Sequence, residues 1–172
     1  MKKPSLILLS LITLISYFNS ENLNSSEMMI AGKPKVIDGD SIKIDNFKIR
    51  LFGIDAPEKK QLCKKRFLSI SFLSFEKDYK CGVISTNALK KKIKNQLITC
   101  GAKSIDKYKR YVSVCYLKKK DLNKWMVKNG HAIAYKRYSK KYIEAQNYAK
   151  QNKLGLWQGK FIEPEKWRRI MD

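Results

Sequence analysis

Residues 37–58 read IDGDSIKIDNFKIRLFGIDAPE. Within them Phe47, Ile49 and Leu51 alternate with Lys48 and Arg50, over Phe47–Leu51. That period of two sets one face of a strand on a core and the other in water. Ser41–Ile44 carries a second strand signal and Lys35–Ile37 a third. Asp45-Asn46 between the first two is a two-residue hairpin turn, since both side chains tolerate positive φ. Acidic side chains gather in the same stretch: Asp38, Asp40, Asp55 and Glu58, with Arg50 among them.

Downstream the pattern changes. Val83–Leu97 has helical spacing, with Leu89, Ile93 and Leu97 on one stripe. Two apolar runs, Ile98–Lys103 and Tyr111–Leu117, suit a hairpin. Asp121 is an N-cap for a short helix that turns Leu122, Trp125 and Met126 inward and ends at Gly130. Tyr142–Asn152 forms a third helix, stopping before Gly155. Strands first, then a helix, a hairpin and two helices describe a small barrel with helices packed on it, an α+β domain. No internal repeat interrupts it.

Upstream lie two segments of different character. Lys2 and Lys3 precede an uncharged, Leu- and Ile-dominated run from Ser5 to Phe18. This is the length of a signal-peptide core, shorter than the ~20 residues of a membrane-spanning helix. Residues 1–20 are therefore expected to be a signal peptide, with an uncleaved membrane anchor as the alternative. Residues 21–32 read as a flexible leader, and 33–172 as the functional domain. Export implies a periplasmic or secreted protein.

Composition narrows the partner. The 172 residues hold 37 basic against 15 acidic side chains, a formal charge of +22. Such a surplus attracts polyanions, of which the nucleic-acid backbone is the commonest. Part of it is compositional, because 31 of the 37 cations are lysines in a chain also rich in Ile and Asn.

The four cysteines, Cys63, Cys81, Cys100 and Cys115, lack the short paired spacing of a zinc site, and His131 is the only histidine. In an oxidising compartment they suggest two disulfides with three possible connectivities. Neighbouring pairs fit best. Cys100 and Cys115 lie on the two runs a hairpin would set side by side, and Cys63 with Cys81 would close the polar loop between them.

Three short stretches carry chemistry: IDGDSIKI with Asp38 and Asp40, IRLFGIDAPE with Arg50, Asp55 and Glu58, and DKYKR with Asp106, Tyr108 and Arg110. Cleaving a phosphodiester with water needs a hard cation on the phosphate oxygens, a carboxylate to activate water, and fixed positive charge for the transition state. Carboxylates supply calcium ligands, and arginine grips phosphate through two parallel hydrogen bonds. Only six arginines occur, and two of them, Arg50 and Arg110, sit in these stretches, where a planar fork does what an ammonium cannot.

In this order and spacing the stretches resemble the staphylococcal nuclease (thermonuclease) family. The resemblance runs from about Lys33 to Gly159 and includes GHAIAY at Gly130–Tyr135 and GLW at Gly155–Trp157. It implies a five-stranded OB-type β-barrel with about three packed helices, and a calcium-dependent endonuclease acting on DNA and RNA. It further implies that Asp40 and Asp55 bind Ca²⁺ by their carboxylates and Ala56 by its backbone carbonyl, which tolerates alanine where the family's best-known member has threonine. Glu58 would be the general base or the organiser of the attacking water, and Arg50 and Arg110 would grip the reacting phosphate. Lys107 and Tyr108 would hold a neighbouring phosphate, and Tyr135 would flank the nucleotide. A monomer without a stable protein partner is expected, with membrane association only if the N-terminal segment stays uncleaved.

The chain also departs from the family. Lys109 stands where D-x-Y-G-R has glycine, which bears on the turn before Arg110. The lysine-rich segment 59–80, with Phe67, Ile70, Phe72, Leu73 and Phe75, resembles the cysteine-containing loop of exported bacterial members. It reads either as a substrate-guiding flap or as an ordered surface loop with its aromatics tucked onto the barrel. The terminal stretch Pro164–Arg169, with WRR, resembles the same subgroup and suggests no role by itself. A non-catalytic OB-fold nucleic-acid binder is the competing function, disfavoured because Asp40, Asp55, Glu58, Arg50 and Arg110 are all present.

Overall fold

The computed structural model describes residues 28–70 and 73–171; the expected signal peptide at 1–20 and residues 21–27 of the leader lie outside them. Its backbone is the sheet β1 (Met28–Gly32), β2 (Lys35–Val36), β3 (Ser41–Ile44), β4 (Phe47–Leu51), β8 (Ile98–Ile105), β9 (Tyr111–Leu117) and β10 (Lys120–Asp121). The strand order is β1-β8-β9-β4-β3-β2, with β10 appended to β9. Two of the seven, β2 and β10, are two-residue pairings, which leaves five strands of ordinary length. All neighbours are antiparallel except β4 and β9.

The sheet curls on itself. Its edge strand β1 returns beside β3, where a Cβ on Gly32 would lie 2.5 Å from Ile44 Cγ2. A residue without a side chain there leaves room for the Ile44 side chain against the β1 backbone. Inside the curl lie Ile30, Ile42, Ile44, Ile49, Leu51, Ile98, Cys100 and Cys115, all buried. The alternation that identified β4 thus points its apolar side into this core, and Arg50 and Lys48 away from it.

Three helices close the core: α1 (Cys81–Ile93), α2 (Leu122–Lys128) and α3 (Ile143–Gln151); a fourth, α4 (Pro164–Met171), follows at the C-terminus. Asp121 caps α2 as its sequence suggests, accepting from the backbone N–H of Lys124 at 2.8 Å, while Leu122 and Met126 are buried. A small mixed α+β domain with a curled sheet and packed helices is what the alternation and spacing predict, and its OB-type character is what the resemblance implies.

Four expectations are corrected. The leader is not wholly flexible, since Met28–Gly32 is a strand paired with β8 from Met28↔Ala102 to Gly32↔Ile98. The first helix ends at Ile93, because Lys94 and Asn95 turn left-handed (φ 45° and 58°), and Leu97 is exposed instead of completing the stripe. Segment 59–80 is a β-hairpin, β6 (Cys63–Ile70) with β7 (Leu73–Tyr79), joined by β12 (Gly159–Lys160) in a separate three-stranded sheet. Its aromatics are not tucked onto the barrel: Phe67 and Phe75 are exposed, while the side chains of Ile70, Phe72 and Leu73 lie outside the described residues. The hairpin carries charge on both strands and a bulge between Arg66 and Leu68, so no barrel core disciplines its pattern.

Both disulfides join neighbouring cysteines, Cys63–Cys81 across 18 residues and Cys100–Cys115 across 15. Cys100 and Cys115 are direct cross-strand partners in the main core. Cys63 and Cys81 sit in a second cluster with Ile133 and Leu156, flanked by Tyr79, Trp157 and Phe161. Closing a loop of this size stabilises by roughly 3 kcal/mol in the chain-entropy model. Replacing Cys100 and Cys115 by Ser should therefore lower global stability in urea by about that amount. Replacing Cys63 and Cys81 should mainly raise amide exchange in β6, β7 and β12. Equal global losses from both pairs would contradict this division into two clusters.

Candidate active site

The site lies where β3, β4 and β5 (Ile54–Asp55) meet, on the side of the sheet opposite the core. The tight turn at 38–40 lifts Asp40 onto the end of β3, with the Asp38 carboxylate accepting from the Asp40 N–H at 3.0 Å. β4 then presents Arg50 opposite Ser41. The chain turns at Phe52-Gly53 and delivers Asp55, which pairs through its backbone with Ile133 of β11 (Ile133–Ala134).

Arg50 ties the two acids together. Its Nη1 donates to Asp40 Oδ1 and its Nη2 to Asp55 Oδ1, each at 2.9 Å. Asp40 is held further by Ser41 Oγ, donating to Oδ1 at 3.0 Å, and by the Ala56 N–H, donating to Oδ2 at 3.0 Å. Asp55 is fully buried. Its carboxyl is pushed up to about 6, first by burial and then by the charge of Asp40, with Arg168 and Arg50 pulling the other way. Asp38 is likewise raised to about 6 by burial and by Asp40.

Glu58 enters from the loop after β5. Gly82, at the start of α1, packs directly against its carbonyl, at a separation no Cβ would permit. Its N–H donates to Gln61 Oε1 at 3.3 Å, and Gln61 Nε2 donates to the Ile162 carbonyl at 2.7 Å.

A second group sits on the β8–β9 turn. Asp106 Oδ1 accepts from the Tyr108 and Arg110 N–H groups at 2.9 and 3.0 Å, and Oδ2 accepts from Arg110 Nε at 2.8 Å. Against a burial that would raise it, these bonds hold the Asp106 carboxyl below its ordinary value. Lys109 adopts φ 59°, so the turn keeps the left-handed conformation that glycine supplies elsewhere, with Asp106 bracing it. The ring of Tyr108 is exposed, with the Lys107 ammonium 5.0 Å and the Arg110 guanidinium 5.3 Å from its centre. β4 and β9 run parallel with Arg50 opposite Val112, so Arg110 lies on the turn that enters the strand next to Arg50's, two residues before Val112.

Tyr135 closes the other side. Its N–H donates to the Gly53 carbonyl at 2.9 Å, and its ring packs on Tyr138 at 4.8 Å. Burial, followed by its hydrogen bond to Glu165, raises its hydroxyl to about 12.

Asp40, Arg50, Asp55 and Ala56 thus form one connected cluster that Glu58, among the described residues, joins only through Arg168, while Lys107, Tyr108 and Arg110 form a second on the neighbouring turn. The structure adds Arg168 of α4, which sequence reasoning left without a role. Its Nη1 donates to Glu58 Oε1 at 2.9 Å, and its Nη2 to Asp55 Oδ1 and Oδ2 at 2.9 and 3.0 Å. The available signal was the scarcity of arginine: Arg168 belongs to WRR in a chain with only six.

Comparison with known proteins agrees with this geometry. Residues 48–159 match the model of the family described as staphylococcal nuclease homologue. An endonuclease of Haemophilus influenzae, itself uncharacterized, is 33% identical over 168 residues, covering 92% of this chain and 84% of that protein. The succinoglycan biosynthesis protein ExoI of Rhizobium meliloti is 34% identical over 131 residues, 74% of this chain and 64% of its own length. A probable staphylococcal-like nuclease of rice, CAN3, is 31% identical over 133 residues, 76% of this chain and 30% of that one. The chain belongs to the staphylococcal nuclease family and is a nuclease that hydrolyses phosphodiester bonds.

Proposed function

We propose that the protein is a calcium-dependent endonuclease that cleaves DNA and RNA by attack of water, with Asp40, Asp55 and the Ala56 carbonyl as its metal ligands. The observation that carries this reading is the Asp40–Arg50–Asp55 bridge around a fully buried carboxylate. Among the described residues no three His, Cys, Asp or Glu side chains are grouped closely enough to hold a metal alone. The donor set nevertheless suits a hard dication. Oδ2 of Asp40 and Oδ2 of Asp55 each accept one hydrogen bond, so each retains a lone pair for a cation. Calcium takes six to eight oxygens, with water and substrate completing such a set. When bound, it would supply positive charge to the phosphate oxygens and to the attacking water.

The remaining roles follow from the side chains. Glu58, partly open to solvent, accepts the proton of the water or orients it. Arg50, on β4, and Arg110, on the turn that leads into the adjacent β9, offer planar forks to the phosphate as negative charge builds on its oxygens. Lys107 and Tyr108 hold the adjacent phosphate, and Tyr135 flanks the nucleotide. The surplus of lysine draws the polyanion in from a distance, an effect that salt screens. Export follows from the N-terminal segment: the mature protein is a periplasmic or secreted monomer that begins near residue 21, and intact mass of the exported chain reads this out. Membrane attachment would follow only from an uncleaved N-terminus. Among the described residues no helix is long and apolar enough to cross a membrane.

Replacing Asp40 or Asp55 by Ala should abolish calcium binding in calorimetry and calcium-dependent cleavage together, with the circular dichroism spectrum retained. Cleavage by either variant at the wild-type rate would remove that residue from the metal set.

Turnover and capture should separate. Arg110→Lys keeps the charge and loses the fork, so the saturating rate should fall by at least ~10²-fold, as for a lost oxyanion donor, with a much smaller change in DNA affinity. Lys118 and Lys119 adopt left-handed φ of 47° and 65°. Changing both to Asn, which tolerates that conformation, should do the reverse: weaker binding, a flatter salt dependence and near-normal turnover. An Arg110→Lys effect confined to KM would reduce Arg110 to one more phosphate contact.

A further inference from the structure

The family match ends at Gly159, and the C-terminal residues 160–171 reach back into the site. Gly159 and Lys160 form β12, paired with Lys65 and Lys64 of β6. The Ile162 carbonyl then accepts from Gln61, the same side chain that takes the Glu58 N–H. Arg137 and Arg169 both donate to Glu165 Oε1, and Tyr135 bonds the same carboxylate. Pro164 is the one buried residue of α4, and Ile170 and Met171 are exposed. This helix is therefore docked by polar contacts together with the buried Pro164 and the partly buried Trp167.

Its two consecutive arginines are used differently. Arg169 is largely exposed and pairs with Glu165 within the helix. Arg168 leaves the helix and spans two carboxylates of the site, 113 and 110 residues earlier in the chain. Among the described residues it is the one side chain that holds the Glu58 carboxylate, and it does so at Oε1 alone. Asp55 has other support, since Arg50 already grips its Oδ1.

We infer that Arg168 is a positioning residue of the active site, a third arginine that locks Glu58 against the buried Asp55 and leaves Glu58 Oε2 free to face the attacking water. The inference rests on the roles proposed above for Glu58 and Asp55. Without the bridge, the Glu58 side chain rotates about its own torsions, and the base is correctly aimed for only a fraction of the time. Displacements of about 1 Å at a reacting group cost as much as ~10² in rate. A single ammonium cannot span two carboxylates as a guanidinium does, so lysine is no substitute.

The test uses the full chain with Arg168→Ala and Arg168→Lys, assayed at saturating calcium, together with calcium binding by calorimetry and thermal melting. In both variants kcat should fall by about tenfold or more, with KM changed by less than about threefold. Calcium should bind at least as tightly as to wild type, because a cation competing for Asp55 has been removed. If Arg168→Ala melts near the assay temperature, Arg168→Gln, which preserves length, is the variant to read. An unchanged kcat would overturn the inference, leaving α4 a packing element. A raised kcat would overturn it too, making the bridge a brake. A fall in kcat matched by lost calcium binding would also overturn it, since Arg168 would then serve Asp55 alone. A wild-type chain that does not cleave would instead remove the functional proposal on which the inference rests.

Discussion

The candidate site is built around a buried carboxylate and the cations that face it. Asp55 is fully buried beside Asp40, and both effects favour its protonated form. Arg168 and Arg50 pull the other way, Arg168 through both Asp55 oxygens and Arg50 by placing one nitrogen on each acid. That bridge needs strands β3 and β4 in the observed register, because Arg50 must stand opposite Ser41. It also needs the turn after β4 to return Asp55 within five residues of Arg50. The hairpin, the turn and the buried pair are therefore one device, and the barrel core below supplies the rigidity. A one-residue slip of β4 would bury Arg50 and expose Ile49 and Leu51, so the hydrophobic pattern that fixes the strand also fixes the chemistry.

Around this centre the chain adds layers that are less tightly specified. The β8–β9 turn carries Arg110 on a loop braced by Asp106, so the carboxylate that shapes the turn also holds the guanidinium ready. The second disulfide cluster joins the hairpin β6–β7, the start of α1 and the GLW turn, and from there the chain runs into α4. Gln61 connects that extension to the backbone of Glu58. The cysteine-bearing hairpin thus serves as a platform from which the C-terminus reaches the candidate site.

Of the main-sheet strands of ordinary length, β4 was legible because it buries one face with a period of two, and β8 and β9 because they are apolar runs that suit a hairpin, although both bury neighbouring residues. Asp121 was legible as a cap because its side chain acts locally. The disulfides followed once β8 and β9 were paired, since partners on a hairpin must meet. β1 was not legible, as Ile30 is its one buried residue and a single inward side chain makes no pattern. The β6–β7 hairpin was missed for a related reason: it folds outside the barrel core, with charges on both strands and a bulge. Of the candidate site, the acids, Arg50 and Arg110 were singled out by their resemblance to the family's motifs, whereas Arg168 meets its partners across more than a hundred residues. No local periodicity encodes such a contact, and only the rarity of arginine marked it.

The central claim is that this arrangement cuts nucleic acid and requires calcium to do so. Its most direct test is incubation of the purified mature chain with covalently closed plasmid DNA, in calcium and in excess chelator, followed by gel electrophoresis. The account predicts nicked and then fragmented plasmid with calcium, and intact supercoiled plasmid with chelator. Plasmid retarded in the gel yet uncut with calcium would make the protein a binder. Cutting that persists in chelator would contradict the metal assignment.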